Sequence, residues 1–192
     1  YIKVIQRQVF RDPLGDPVDP DTPPKLTDEQ KAVVRQVQRK MDKGFCPYLL
    51  SGITGSGKTE GYMRLVWDVI DKGKTAIVLV PEISLISQTE RRFRARFGDK
   101  IAVIHSALTK GELLDQWQKI ALKKVSIVIG ARSAIFAPFE DIGLIVVDEE
   151  HDTSYKQETS LRYNARDLAV VRAKFNDCPV ILGSATPSVQ SY

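Results

Sequence analysis

One loop in the sequence has the residue types and spacing that bind nucleotide phosphates. Residues 52–59 read GITGSGKT and match G-x-x-x-x-G-K-[ST] at every fixed position. Three glycines let the backbone curl so that successive N–H groups face one phosphate. The Lys58 ammonium suits the β- and γ-phosphates, and the Thr59 hydroxyl suits Mg²⁺. The predicted phosphate-binding residues are Gly52, Thr54, Gly55, Ser56, Gly57, Lys58 and Thr59.

A pair of acids supplies the second half of this chemistry. The apolar run LIVV at 144–147 is followed by Asp148 and Glu149. A carboxylate at the end of a buried strand can hold Mg²⁺, and Asp148 has that place. Glu149 is then positioned to polarise an attacking water. Together with Lys58, these acids predict nucleotide hydrolysis.

The sequence favours ATP over GTP. Guanine recognition in many GTPases uses an N-K-x-D motif, and neither of the asparagines of this chain, Asn164 and Asn176, begins one.

The elements that must position these residues follow an alternating pattern. Short apolar runs predict strands, and longer amphipathic segments between them predict helices. The predicted strands are 48–50, 75–80, 101–104, 125–129, 143–148 and 179–182. The predicted helices are one beginning near Thr27, then 58–70, 85–97, 110–122 and 165–175. This alternation predicts an α/β fold, a mostly parallel sheet flanked by helices, with ligands at the carboxyl ends of the strands.

Composition limits the class of protein without naming a function. The chain has 192 residues, a formal charge of +4, 43% hydrophobic and 27% charged residues, and two cysteines. These values are typical of a globular domain. No apolar run approaches the ~18 residues of a membrane-spanning helix, and two cysteines are too few for a disulfide scaffold. Membrane-spanning, secreted and disordered classes are therefore disfavoured, and no membrane partner is expected.

The first 25 residues differ from the rest. Five of the ten prolines fall between Pro13 and Pro24, so this stretch cannot form a helix or a central strand. We interpret residues 1–25 as a linker with the tail of a preceding domain, and 26–192 as the folded unit. Because the chain starts at Tyr1 without Met, we expect it to be a piece of a longer protein.

Several motifs resemble those of superfamily 2 helicases. DEEH at 148–151 resembles their D-E-x-H box, SAT at 184–186 their S-A-T motif, and LTDEQ at 26–30 their adenine-reading Gln motif. Three longer blocks, GARSAIFAPF at 130–139, DEEHDTSYKQ at 148–157 and RYNARDLA at 162–169, are similar to bacterial primosomal replication-restart helicases. The resemblance covers residues 26–192 and implies a RecA-like P-loop NTPase lobe, the first of two.

The resemblance also implies roles for individual residues. Gln30 would bind adenine, although Thr27 and Gln30 also fit a helix capping box. His151, Ser184 and Thr186 would couple nucleotide state to DNA. The implied DNA contacts are Pro81, Glu82, Arg132, Ser133, Tyr155, Lys156, Arg162 and Tyr163. From local sequence alone, the two tyrosines are equally compatible with base stacking and with a structural role.

The resemblance implies an ATP-dependent DNA helicase that moves 3′→5′ on single strands at stalled forks, in the bacterial cytoplasm near the nucleoid. Primosome proteins and single-strand-binding protein are the implied partners, and a Zn²⁺ site is expected only downstream. Without a second lobe carrying an arginine finger, we expect little hydrolysis. The main alternative is another superfamily 2 translocase, such as a fork-remodelling or transcription-repair motor. A non-catalytic binding module and a P-loop small-molecule kinase fit the motifs less well.

Overall fold

A computed structural model of the chain describes residues 10–11, 13, 15, 18–53, 55–159, 161–188 and 191. The strands are β1 Pro47–Ser51, β2 Thr75–Leu79, β3 Ile101–Ile104, β4 Ile127–Gly130, β5 Ile142–Val147, β6 Lys156–Gln157, β7 Tyr163–Asn164 and β8 Val180–Ser184. The helices are α1 Asp28–Gln38, α2 Lys58–Asp71, α3 Ile83–Phe97, α4 Lys110–Ala121 and α5 Ala165–Phe175. Short 3₁₀ helices span Arg132–Phe136 and Thr153–Tyr155.

The main sheet is parallel throughout, as the alternating pattern predicts. Within the described residues it has six strands in the order β1-β8-β5-β2-β4-β3. The central strands β5 and β2 are buried along nearly their whole length, because helices cover both faces. All the strand ends that carry the predicted motifs therefore meet along one edge of the sheet.

Two apolar layers hold the helices to the sheet. Residues of α1, α2 and α3 pack on one face, where Val34, Val66 and Phe93 are buried. The opposite face receives α4, α5 and the first 3₁₀ helix, with Ile120 and Ala169 in its core. Alternate residues of each strand enter the two layers, which explains why β3 and β5 are buried along their whole length.

Local signals fix where α1 and α4 begin. In each, a threonine hydroxyl accepts a backbone N–H three residues on, and the side chain at that position returns to the threonine N–H. The pairs are Thr27 with Gln30 and Thr109 with Glu112. The capping box predicted at Thr27 is confirmed, and Thr109 begins α4 with a second one.

The small antiparallel pair β6–β7 is not foreseen by the sequence pattern. Lys156 pairs with Asn164, and Gln157 pairs with Tyr163. Two-residue strands are too short for a hydrophobic period to appear. The pairing of β6 with β7 gives the segment between β5 and α5 the form of a hairpin at the carboxyl edge of the main sheet.

The described residues before α1 contact the folded unit. The Asp21 N–H donates to the Ala95 carbonyl at 2.9 Å, and its carboxylate lies 2.8 Å from the Arg96 guanidinium. The Arg64 guanidinium donates to the Pro24 carbonyl at 2.9 Å. This part of the predicted linker is thus attached to α2 and α3, and the division at residue 25 stays a prediction.

None of the helices in the described ranges has the length and apolar character needed to cross a bilayer.

Candidate nucleotide and nucleic-acid site

The predicted phosphate loop lies between the end of β1 and the start of α2. Gly55 and Gly57 have φ values of +81° and +83°, which side-chain-bearing residues rarely adopt. A β-carbon at Gly57 would also overlap the amide of Gln30. Both glycines are therefore required by the loop conformation. Thr54 lies outside the described residues.

Gln30 connects α1 to this loop. Its amide nitrogen donates to the Ser56 carbonyl at 2.8 Å, while its amide oxygen accepts the Thr27 N–H at 2.9 Å. Both ends of the amide are thus engaged within the protein. An adenine base would have to share or replace these contacts, so the adenine role of Gln30 stays a prediction.

Lys58 joins the loop to the acid pair. Its ammonium donates to the Gly52 carbonyl at 2.7 Å and lies 3.5 Å from a carboxylate oxygen of Glu149. Only 9% of the Lys58 side chain is exposed. Thr59 follows it in the first turn of α2, where the positive end of the helix faces the loop. The structure therefore brings the predicted phosphate and acid residues into contact.

The two acids sit directly after β5, in the middle of the sheet. The Asp148 N–H donates to the Leu79 carbonyl at 2.9 Å, which extends the β5–β2 ladder by one residue. Burial raises the pKa of the Asp148 carboxyl, and the charge of Glu149 raises it further, against the hydrogen bond from Tyr62. Glu149 has a φ of +44°. The two acids are thus held close together, and their negative charges repel each other.

Tyr62 is a site residue that motif reasoning missed. Its hydroxyl donates to Asp148 Oδ1 at 3.1 Å from a buried position on α2. Burial raises the pKa of the Tyr62 phenol, so it stays a proton donor. Gly183 makes room for it, since a β-carbon there would overlap the hydroxyl. The available signal was the spacing of Lys58 and Tyr62, one turn apart on the same helix.

The predicted coupling residues also meet. His151 Nδ1 lies 2.7 Å from the Ser184 hydroxyl, which accepts the Thr186 N–H at 3.0 Å. The Ala185 N–H donates to the Glu149 carboxylate at 3.3 Å. The D-E-x-H box after β5 and the S-A-T motif after β8 therefore form one hydrogen-bonded unit.

Three of the segments predicted to contact DNA converge beside this unit. Pro81 follows β2, Arg132 follows β4, and 152–157 follow β5. The Ser154 hydroxyl donates to the Pro81 carbonyl at 2.8 Å. The Arg132 guanidinium donates to the carbonyls of Ser154 and Lys156 at 3.3 and 3.0 Å. These hydrogen bonds within the protein link the three segments to one another.

One predicted DNA contact is wrong. Tyr155 is only 1% exposed, and its hydroxyl donates to the Asp148 carbonyl at 2.6 Å. A ring in the core has no face to offer a base, so Tyr155 does not stack on DNA in this structure. The 3₁₀ turn at 153–155 directs the ring under β5, an effect of tertiary packing that local sequence does not reveal.

The other predicted contacts differ in exposure. Glu82, Lys156 and Arg162 are exposed, while Ser133 and Tyr163 are half-buried and Pro81 is buried. The Tyr163 ring meets Phe136 edge-on with centroids 5.2 Å apart. Their roles in DNA binding stay predictions.

The sheet order separates the two groups of motifs. The phosphate loop, the S-A-T motif and the acid box follow β1, β8 and β5, which are neighbours. The segments predicted to meet DNA follow β5, β2 and β4, which are also neighbours. Strand β5 belongs to both halves, so one strand end joins them.

A parallel sheet with a phosphate loop, an acid box and an S-A-T motif at one edge defines a helicase-type ATPase lobe. The DEAD/DEAH box helicase model matches residues 27–192, and the chain belongs to that family. The fold is therefore the RecA-like lobe predicted from the sequence, and membership implies nucleotide binding with a divalent metal.

Relatives named "Replication restart protein PriA" are similar over the whole chain. The protein of Bacillus subtilis (strain 168) is 51% identical over 193 residues, and that of Synechocystis sp. is 45% identical over 192. The chain covers 24% and 23% of their respective lengths. A solved structure of RecG bound to a three-way DNA junction superposes with a TM-score of 0.68 at 26% identity. That match covers 88% of this chain and 22% of RecG.

Proposed function

We propose that this lobe is the ATP-binding part of an ATP-dependent DNA helicase that acts in replication restart at stalled forks. The observation that carries the proposal is the joined edge of the sheet. There an ion pair joins Lys58 to Glu149, and hydrogen bonds join Glu149 and His151 to the S-A-T motif, next to the segments predicted to meet DNA. Such a connection is what coupling hydrolysis to strand movement requires. The restart proteins that are 45–51% identical to this chain support the biological setting.

The donor set fits Mg²⁺. The hydroxyl of Thr59 and the carboxylate of Asp148 are oxygen ligands of the kind that Mg²⁺ prefers alongside nucleotide phosphates. Asp148 is half-buried beside Glu149, and a divalent cation would offset the burial and the neighbouring negative charge that raise its pKa. When bound, the cation would neutralise charge on the phosphates, and Tyr62 would keep the Asp148 carboxylate oriented.

Different groups of the protein then bind the phosphates of ATP and activate the attacking water. The loop N–H groups and Lys58 hold the phosphates, and the Glu149 carboxylate orients and polarises the attacking water. ATP is the proposed nucleotide, with Gln30 as its adenine contact and no N-K-x-D motif for guanine. Hydrolysis by this lobe alone is proposed to be slow, because an arginine finger would come from a second lobe.

The proposed nucleic-acid substrate is a single strand at a fork, followed 3′→5′. Its backbone would run along the segments after β2, β4 and β5, with Arg132, Lys156 and Arg162 meeting phosphates and Tyr163 a base. The proposal includes primosome proteins and single-strand-binding protein as partners of the complete protein. It also includes a Zn²⁺ site outside this lobe and a place in the bacterial cytoplasm near the nucleoid. Another superfamily 2 translocase is not favoured, because the relatives similar over the whole chain carry the restart name.

The test is Lys58→Ala in the complete protein. We expect DNA-stimulated ATP hydrolysis to fall by about 10²–10³-fold, as for other preorganised charge-stabilising donors, and fork unwinding to be lost. Lys72→Ala is the matched control, since Lys72 caps the other end of α2 and pairs with Asp42. Circular dichroism checks that both variants fold. Unwinding by Lys58→Ala at the parental rate would show that the phosphate-site assignment is wrong.

A further inference from the structure

Glu150 is a buried charge in the acid box to which neither the motif nor the proposed chemistry gives a role. Only 2% of the residue is exposed. Its neighbours in sequence are the acids that face the phosphate loop and His151, which faces the S-A-T motif. A buried carboxylate is unfavourable unless it is hydrogen-bonded, so its partners indicate what it does.

Those partners all lie outside the phosphate site. One carboxylate oxygen accepts the Ser188 N–H at 2.8 Å. The other accepts the hydroxyls of Ser188 and Ser191 at 3.1 and 2.7 Å and lies 3.4 Å from the Arg166 guanidinium. Burial opposes the charged form of Glu150, but the hydrogen bonds from Ser188, Ser191 and Arg166 outweigh it and lower the pKa. Both oxygens of the Glu150 carboxylate are therefore held in place by the side chains and backbone of other segments.

The backbone and the side chain of Glu150 hold the chain on both sides of the S-A-T motif. Its N–H donates to the Gly183 carbonyl at 2.9 Å, just before Ser184. Its carboxylate holds Ser188 and Ser191, just after Thr186. Glu149, one residue earlier, contacts Lys58 and the Ala185 N–H. Two consecutive acids thus join the phosphate site to the strand end and to the segment that follows it.

We propose that Glu150 is a positioning residue that fixes the segment after the S-A-T motif to the acid box, so that nucleotide-dependent movement of the box reaches that segment. This inference rests on the proposed ATPase. It also explains the block RYNARDLA at 162–169, because that block supplies Arg166 as a further partner of Glu150.

The first measurement needs no activity. In the nucleotide-free complete protein, hydrogen exchange of the Ser188 amide reports directly on its bond to Glu150. We expect Glu150→Ala to accelerate that exchange about 10-fold or more, the usual effect of removing a charged hydrogen-bond acceptor, while amides of β2 keep parental protection. Glu140→Gln is the matched control, an exposed acid at the opposite edge of the sheet that pairs with Lys123. It should leave both regions unchanged.

The second measurement separates positioning from catalysis. We expect Glu150→Ala to leave the KM for ATP within about 2-fold of the parent, because its contacts lie outside the phosphate site. The number of base pairs unwound per ATP should fall about 10-fold, because the segment after the S-A-T motif would no longer be fixed to the acid box. Glu150→Gln, which keeps the shape and one acceptor, should restore part of both readouts. Ser191→Ala removes a single donor and should give a smaller change in the same direction, so it serves if Glu150→Ala does not fold.

Each outcome decides the matter. Parental exchange at Ser188 in Glu150→Ala, or in Ser191→Ala if the first variant is unfolded, overturns the positioning role. Faster exchange with unchanged unwinding per ATP also overturns it, since the contact would then be structural only. If the parent protein itself hydrolyses no ATP with DNA present, the proposed function fails, while the exchange result still tests the Glu150 contact.

Discussion

The two halves of the carboxyl edge of the sheet differ in how their polar groups are satisfied. We call the half formed by β1, β8 and β5 the nucleotide half. There Lys58 lies 3.5 Å from a carboxylate oxygen of Glu149, and the negative charges of Asp148 and Glu149 repel each other. We call the half formed by β5, β2 and β4 the connected half. There the side chains of Arg132, Ser154 and Tyr155 donate hydrogen bonds to backbone carbonyls. Both halves receive residues from the ten positions after β5.

This difference indicates how each half meets its ligand. The nucleotide half holds unfavourable charge that phosphates and a cation would balance, so ligand binding should stabilise it. The other half is already connected, so a DNA phosphate at Arg132 would compete with the carbonyls of Ser154 and Lys156. Under the proposed function, such competition would transmit DNA binding to the acid box through Tyr155, whose hydroxyl donates to the Asp148 carbonyl.

The largest expected effect is that of Glu149→Gln on hydrolysis in the complete protein. Replacing Glu149, the proposed base, should lower the turnover by about 10²–10⁴-fold. ATP binding, measured by titration with a fluorescent analogue, should persist because the loop and Lys58 remain. Glu29→Gln, an exposed acid in the first turn of α1, should leave turnover unchanged. Turnover at the parental rate in Glu149→Gln would show that Glu149 is not the base.

Next comes the stability of the connected half. Tyr155→Ala should lower the free energy of unfolding by about 3–5 kcal/mol, the usual cost of deleting a buried aromatic ring. Tyr163→Ala, in the same loop but half-buried, should cost less, and Tyr155→Phe only about 1 kcal/mol for the lost hydrogen bond. Urea denaturation measures all three. A larger loss for Tyr163→Ala than for Tyr155→Ala would contradict the assignment of Tyr155 to the core.

A smaller effect of opposite sign is expected in the nucleotide half. Asp148→Asn should raise the stability of the ligand-free chain at neutral pH by about 1 kcal/mol, because a charge kept for function is removed. Tyr62 still has an oxygen to donate to. Thermal unfolding without Mg²⁺ measures the difference, and a less stable Asn variant at pH 7 would contradict the prediction.

The pH dependence gives a further check of the Asp148 prediction. A raised pKa means that the folded state binds the proton more tightly than the unfolded chain. The Asp148 contribution to stability is thus most favourable below the ordinary aspartate pKa of 3.8, and it is lost as the pH rises through the pKa of the folded state. The advantage of Asp148→Asn should therefore shrink as pH is lowered toward 4, and an advantage that grows on acidification would reverse the assigned sign.

The smallest effect concerns the salt dependence of DNA binding. Single-strand affinity should fall with salt, and Arg132→Gln should reduce the slope of log K against log salt by about 0.7, the value for one lost phosphate contact. Arg39→Gln at the end of α1 is the control and should leave the slope unchanged. An unchanged slope for Arg132→Gln would mean that Arg132 serves the protein loop alone.

Much of the nucleotide half is predictable because its residues act through local backbone geometry. The loop 52–59 and the two capping boxes depend on contacts within a few positions, and β5 carries the acids at its own end. Tyr62, Gly183 and Glu150 were not predicted, because the partner of Tyr62 is 86 positions away and that of Glu150 is 38 positions away. Tyr155 was placed wrongly for the same reason, since the core that buries it comes from other strands.

The class of this protein follows from its sequence alone. Hydrophobic period and capping residues specify strands, helices and their starts, and the phosphate loop and acid box carry chemistry in short, contiguous motifs. The structure was needed to show which side chains hold the motifs together: Tyr62 on Asp148, Glu150 on Ser188, and Arg132 on the loop after the acid box. A hydrogen bond between distant segments depends on strand order and on which side chains the helices cover, and neither is written in local spacing.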